Sequence, residues 1–122
     1  MNDTKLGAVD ARFADIVWNH EPLSSGELVK RCELELNWKK STTYTVLKKF
    51  CERGIFQNNG GTVSSLISRS ELYGMQSEKF VDEVFNGSLP AFIAAFTQRK
   101  SLSAKEIAEI QKMIDSAGKR PD

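Results

Sequence analysis

The chain has 122 residues, of which 40% are hydrophobic and 27% charged, and its formal net charge at pH 7 is +1. This length fits one domain, or one small domain with an appendage, and the composition excludes a disordered chain. No apolar run approaches the roughly 18 residues that a membrane-spanning helix needs, and the opening MNDTKLGAVD lacks the pattern of a signal peptide. We therefore predict a folded cytoplasmic protein without a membrane segment.

Cysteine and histidine are too scarce to build a metal site. Cys32 and Cys51 are the two cysteines and His20 is the single histidine, whereas a structural zinc site takes four such ligands. We expect both thiols to be reduced and to behave as small buried hydrophobes, with a redox or ligand-sensing thiol as the alternative. No cofactor is predicted. An enzyme is disfavoured because no nucleophile or carboxylate pattern surrounds the histidine.

Three amphipathic helices are predicted in the N-terminal half of the chain. The first covers residues 6–18, where apolar residues recur at helical spacing. The second begins after a capping box formed by Ser24 and Glu27. The third begins at Ser41 as its cap and ends at Gly54, which can adopt the left-handed backbone conformation of a helix terminus.

A short hairpin is predicted after the third helix. Residues 55–58 and 62–67 are β-compatible runs around Asn59-Gly60-Gly61, and this tripeptide is typical of a tight turn. Three helices followed by a hairpin is the order of a winged helix-turn-helix. The sequence therefore predicts a mainly α protein whose residues 1–68 form a winged helix-turn-helix domain with a small β-hairpin wing.

Three more helices are predicted in residues 69–122, capped by Ser68, Ser88 and Ser103. Each has a broad apolar stripe, but so small a unit rarely buries enough surface to fold alone, and neither a disulfide nor a metal supports it. We therefore predict a three-helix region for homodimerisation, with docking onto the N-terminal domain as the alternative. The predicted dimerisation residues are Leu72, Phe80, Val84, Phe85, Phe92, Ile93, Phe96, Ile107, Ile110 and Ile114.

The third helix combines an apolar face with a polar and basic face. The residues predicted to face inward are Thr43, Val46, Leu47 and Phe50. In a helix-turn-helix the second helix of the motif enters the major groove, where short polar and aromatic side chains meet base edges and lysines meet phosphates. A dimer with two such helices would bind double-stranded DNA at an inverted repeat. The predicted DNA-binding residues are Lys39, Lys40, Ser41, Thr42, Tyr44, Thr45 and Lys48.

Collinear motifs over nearly the whole chain follow a known pattern. The matching residues are Leu6, Asp10, Trp18, Pro22, Leu23, Ser24, Glu27, Leu28, Trp38, Thr42, Thr45, Leu47, Gly54, Phe85, Gly87, Ser88, Leu102, Ser103, Glu106 and Ile107. With these motifs the chain resembles the penicillinase repressor family of BlaI/MecI/CopY type. The resemblance implies a winged-helix dimer that represses transcription by placing its recognition helix in the major groove of a dyad operator.

The chain departs from the family pattern in residues that bear on induction and on the wing. Antibiotic-responsive members are cut at an Asn-Phe dipeptide, where this chain has Ala95 and Phe96, and the cysteine pairs of copper-responsive members are absent. The inducing protease or sensor is therefore left open. The wing segment QNNGGTVSSLI is short and uncharged. The alternative function is accordingly a winged-helix module for protein–protein interaction that has lost DNA binding.

Overall fold

The computed structural model describes residues 6–118, and their fold is mainly helical. The elements are α1 Ala8–His20, β1 Leu23–Ser24, α2 Ser25–Leu36, α3 Lys40–Glu52, β2 Phe56–Asn59, β3 Thr62–Ser65, α4 Arg69–Phe85, α5 Leu89–Arg99 and α6 Ala104–Ala117. This order confirms the predicted winged helix-turn-helix followed by a helical C-terminal region. None of the helices in the described part of the chain is both long and apolar enough to cross a membrane.

The described residues form two compact units, which divide between Lys79 and Phe80 inside α4. The predicted domain boundary lies earlier, after residue 68, because the sequence pattern alone does not reveal where the start of α4 packs. Leu72 is fully buried in the core of the first unit. It is therefore not available to a second chain, which corrects its assignment to the predicted dimerisation surface.

The core of the first unit is built around three buried aromatic rings. Phe13 from α1, Phe50 from α3 and Phe56 from β2 meet with ring centroids 5.1 to 6.2 Å apart. Such ring pairs stabilise a core beyond the apolar area that they bury. The aliphatic residues of this core include Ile16, Val17, Leu23, Leu28, Leu47, Ile55, Val63 and Leu72. Helix α3 is therefore fixed against both α1 and the sheet.

The described strands form a three-stranded antiparallel sheet in the order β1-β3-β2. The predicted hairpin is confirmed, with Asn59 paired to Thr62 and the turn made by Gly60 and Gly61, whose φ angles are +60° and +94°. Strand β1 is an unpredicted addition, since two residues are too few for alternation to appear in a sequence. Its pairing with β3 joins the wing to the start of α2, where the Ser25 amide donates to the Gly61 carbonyl at 2.8 Å.

Serine caps define the starts of four helices. The hydroxyl oxygens of Ser24, Ser68, Ser88 and Ser103 each accept a hydrogen bond from the amide three residues later, at 3.0 to 3.1 Å. Each bond satisfies an amide that has no partner inside its helix. The predicted cap residues of α2, α4, α5 and α6 are therefore confirmed.

Candidate nucleic-acid interface

One face of α3 is anchored in the core of the first unit. Thr43, Leu47 and Phe50 are buried, and Val46 packs partly buried against the same core. These are the four residues predicted to face inward, and the prediction is confirmed. Because this face is fixed, the opposite face of α3 is presented to solvent.

The exposed face of α3 carries the polar and basic side chains. Ser41, Tyr44, Thr45 and Lys48 follow the three- and four-residue spacing that places side chains in one stripe along a helix. The residues predicted to bind DNA, all exposed, are Lys39, Lys40, Ser41, Thr42, Tyr44, Thr45 and Lys48. The fold therefore brings these side chains to the surface, and their contact with DNA stays a prediction.

The start of α3 differs from the sequence-based prediction. Lys39 is the N-cap residue and Ser41 lies inside the first turn, where its carbonyl accepts a bond from the Thr45 hydroxyl at 2.9 Å. The prediction that Ser41 caps α3 is therefore wrong. Within residues 6–118, no side chain caps the first turn of α3. The amide groups of this first turn can therefore bind water or an anion such as a phosphate, which the positive end of the helix dipole attracts.

Tyr44 connects α3 to the start of α2 and borders a groove. Its hydroxyl donates to the Ser25 Oγ at 3.2 Å, and its side chain is about one-third exposed. The groove lies between α3 and β2 and has a volume of about 410 Å³. Its lining residues are Tyr44, Leu47, Lys48, Cys51 and Asn58. Sequence reasoning missed Ser25 and Asn58 as parts of this surface, because only the tertiary structure brings their elements to α3.

The wing presents amide groups instead of charges. Asn58 Oδ1 accepts from the Gly61 amide at 3.0 Å, which holds the turn. Asn59 Nδ2 donates to Gln57 Oε1 at 3.2 Å, and Gln57 Nε2 donates to Ser64 Oγ at 3.1 Å. Such groups can form hydrogen bonds with DNA but not ion pairs. The salt-dependent part of any DNA affinity therefore has to come from elsewhere, and Lys48 of α3 borders the same groove as Asn58 of the wing.

Neither cysteine has the environment of a reactive thiolate. Cys32 is fully buried and Cys51 is partly buried, and both thiols are free. Burial raises the pKa of Cys51, and the neighbouring Glu52 carboxylate raises it further. Burial also raises the pKa of Cys32. Because a redox-sensing thiol needs a lowered pKa, these directions disfavour the sensing alternative and support packing roles.

The second unit exposes much of its apolar surface. Phe80, Phe85 and Phe92 form a ring cluster with centroids 5.6 to 6.1 Å apart, yet the side chain of Phe80 is about half exposed. In the described chain, α5 and α6 contain no buried residue. The predicted dimerisation residues that are exposed here are Phe80, Val84, Ile93, Phe96, Ile107 and Ile114, whereas Phe85, Phe92 and Ile110 are half-buried.

The comparisons with known proteins all indicate the same family. The sequence model described as penicillinase repressor matches residues 6–116. The chain is 23% identical over 115 residues to the penicillinase repressor of Bacillus licheniformis, with 91% of this chain and 90% of the relative covered. It is 19% identical to the methicillin resistance regulatory protein MecI of Staphylococcus aureus, and 18% identical to that of Mammaliicoccus sciuri, each over 91% of this chain and 94% of the relative. The similarity extends across both units.

Proposed function

Because the chain belongs to the penicillinase repressor family, we propose that it is a transcriptional repressor that binds an inverted-repeat operator in double-stranded DNA as a homodimer. The observation that carries this proposal is the two-sided character of α3. Thr43, Leu47 and Phe50 hold one side in the core, and the other side exposes hydroxyl, aromatic and lysine groups. A rigidly held helix with such an outer face fits the major groove.

The exposed residues of α3 are suited to two kinds of DNA contact. Short hydroxyls and the tyrosine ring suit base edges and thymine methyl groups, whereas lysines suit phosphates and supply affinity that salt weakens. The residues proposed for base contacts are Ser41, Thr42, Tyr44 and Thr45. The residues proposed for phosphate contacts are Lys39, Lys40 and Lys48.

Homodimerisation is proposed to occur through the second unit. Its apolar side chains, Phe96 and Ile93 among them, are exposed to a degree that a stable monomer of this size rarely tolerates. A second copy of the same surface would cover them with a self-complementary interface. Two recognition helices would then contact half-sites about one helical turn apart or slightly more.

Selection of bound duplexes from a random pool tests the proposal most directly. We expect an inverted repeat. Its two-fold symmetry would indicate that a dimer binds, and the sequence of its half-site would indicate which bases α3 contacts. The affinity for the selected duplex should fall steeply as salt increases, because bound lysines release counterions from the DNA. Failure to bind any duplex from the pool at low salt would overturn the proposal.

The second candidate function is a protein–protein interaction module that does not bind DNA. The observation in its favour is the composition of the wing. Gln57, Asn58 and Asn59 are uncharged, whereas basic side chains would be expected in a wing that binds phosphates. Co-purification with a protein partner would support this candidate if the affinity did not change on substitution of Lys39, Lys40 and Lys48. Loss of DNA affinity in the same variants would support the repressor instead.

A further inference from the structure

The groove between α3 and β2 combines an apolar floor with a polar rim. Leu47 is almost fully buried and Cys51 is partly buried, and these two residues form the floor. The rim consists of Tyr44, Lys48 and Asn58, which are exposed. The four α3 residues follow three- and four-residue spacing and so lie on one side of the helix, with Asn58 on β2 across the groove. Its volume of about 410 Å³ is in the range of small-molecule sites, about 300 to 1,000 Å³.

The charge in the lining of the groove is positive. Lys48 supplies it, and no carboxylate of residues 6–118 forms an ion pair with this lysine. The Cys51 thiol is uncharged at pH 7, because burial raises its pKa and the neighbouring Glu52 carboxylate raises it further. An ammonium group beside a neutral, apolar floor favours a ligand that carries a single negative charge.

Asn58 and Tyr44 add a hydrogen-bond donor and an aromatic ring to the rim. Asn58 Oδ1 accepts from the Gly61 amide at 3.0 Å, which fixes the orientation of its carboxamide. Asn58 Nδ2 is therefore the atom that can donate to a molecule in the groove. The Tyr44 hydroxyl donates to Ser25 Oγ at 3.2 Å, so its ring is the part of Tyr44 that a ligand can pack against.

We propose that this groove binds a small aromatic carboxylate, whose ring packs on Leu47 and Tyr44 and whose anionic group contacts Lys48 and Asn58. The ligand needs an apolar body, because the floor offers no hydrogen-bond partner to a fully hydrated ion such as inorganic phosphate. It needs the carboxylate, because an ammonium and an amide donor together form charge-assisted hydrogen bonds with such a group.

A ligand in this groove would oppose operator binding. Lys48 and Tyr44 are also two of the residues proposed for DNA contact, and neither side chain can serve both partners at once. This second part of the inference rests on the proposed function, whereas binding of the carboxylate itself does not. With the ligand at ten times its dissociation constant, the affinity for the operator should fall by about tenfold or more.

The test titrates the full-length protein with 2-naphthoate and follows the amide NMR signals of each residue. We expect saturable shifts at residues 44–51 and 57–59, with a dissociation constant on the order of 1 mM or below for a ligand of this size. The alcohol 2-naphthylmethanol keeps the ring without the charge and should bind about tenfold or more weakly. Acetate keeps the charge without the ring and should give no saturable shift in the groove.

Matched variants of the wing locate the bound carboxylate. Asn58→Asp keeps the acceptor for the Gly61 amide, and so keeps the turn, but replaces the Nδ2 donor with a negative charge. This variant and Lys48→Ala should each weaken naphthoate binding by about tenfold or more. Asn59→Asp is the control, because it adds the same charge one residue further along, where the side chain bonds to Gln57 on the other face of the strand. Its naphthoate affinity should stay within about twofold of wild type.

Three results overturn the site while leaving the proposed function intact. They are no saturable shift in the groove, shifts confined to residues 80–118, and equal naphthoate affinity of wild type, Asn58→Asp and Lys48→Ala. Shifts in the groove without any loss of operator affinity would overturn the effect of the ligand on DNA binding. The proposed function is tested separately, by duplex selection without ligand. Wild-type protein that binds naphthoate in the groove but binds no duplex would overturn that function and leave the site.

Discussion

Lys48 and Tyr44 are the two side chains that bear most directly on the proposed DNA recognition. Both lie on the exposed stripe of α3 and both border the groove against β2. They differ in kind, since a lysine is suited to a phosphate and an aromatic ring to a base or sugar. Substituting each one therefore tests a different part of the binding energy.

Lys48→Ala is expected to weaken the salt dependence of operator binding. Each phosphate contact contributes about 0.9 to the slope of log affinity against log salt, so two lost lysines in a dimer lower the slope by about 2. Titrations at several salt concentrations measure this slope. Lys112→Ala is the control, because Lys112 is an exposed lysine on α6 in the second unit. An unchanged slope in Lys48→Ala would remove Lys48 from the phosphate contacts.

Tyr44→Ala is expected to change the base preference within the half-site, whereas Tyr44→Phe should retain it. The phenylalanine keeps the ring and loses only the hydroxyl bond to Ser25. Selection from a random pool, repeated with each variant, compares the motifs. Tyr73→Ala is a control of matched exposure, since both tyrosines are 37% exposed, and it should leave the half-site motif unchanged. Identical motifs for all variants would exclude Tyr44 from base contact.

At the scale of elements, the start of α6 is the best-defined local structure in the second unit. The Ser103 hydroxyl accepts from the Glu106 amide and the Glu106 carboxylate accepts from the Ser103 amide, both at 3.0 Å. These bonds satisfy two helix-end donors reciprocally, as a capping box does. The bond from the Ser103 amide, followed by that from its hydroxyl, holds the pKa of Glu106 below its ordinary value of 4.5.

The capping box should make the first turn of α6 sensitive to acid. The pKa of Glu106 is lower in the folded chain than in the unfolded chain. The stabilisation that its carboxylate gives to the first turn of α6 is therefore complete above pH 4.5 and is lost as the pH falls through the lowered value. Amide hydrogen exchange at residues 103–107, normalised to the intrinsic exchange rate at each pH, measures this loss as a lower protection factor. The protection factors of Glu106→Gln should not change over the same pH range. An equal fall of the protection factors in Glu106→Gln would contradict the assignment.

At the scale of the whole molecule, the two units differ in how much apolar surface they bury. The first unit has a contiguous core from Phe13 to Leu72, whereas in the described chain α5 and α6 bury no residue. The proposed homodimer accounts for this difference, since a second copy would supply the missing apolar neighbours.

The double variant Ile93→Asp with Phe96→Asp is expected to convert the proposed dimer to a monomer. Two charges inside an apolar interface would lose hydration without gaining a partner. Sedimentation equilibrium measures the mass, and operator affinity should fall by about tenfold or more as bivalent binding is lost. Leu34→Asp, at a leucine that is 85% exposed on α2, is the control and should stay dimeric. A double variant of dimeric mass would place the interface elsewhere.

Features that depend on neighbouring residues could be predicted from the sequence by itself. The capping serines, the Gly60-Gly61 turn and the inward face of α3 were of this kind, because each follows from side chains within about one helical turn or one tight turn. The exposed, basic outer face of α3 follows from the same periodicity. These features were sufficient to predict a winged helix-turn-helix and a candidate DNA-binding surface.

Features that depend on residues far apart in the sequence were decided only by the tertiary structure. Strand β1 exists because Leu23 pairs with Val63. Leu72 is absent from the proposed dimer surface because it packs in the core of the first unit. The contact of Arg69 with Asp15 joins residues 54 positions apart. No local propensity encodes such partners, because the chain must first close the loop between them and bury the surface that they share. Sequence thus determined the helices, the hairpin and the polarity of α3, and the tertiary structure determined β1 and the packing of the start of α4.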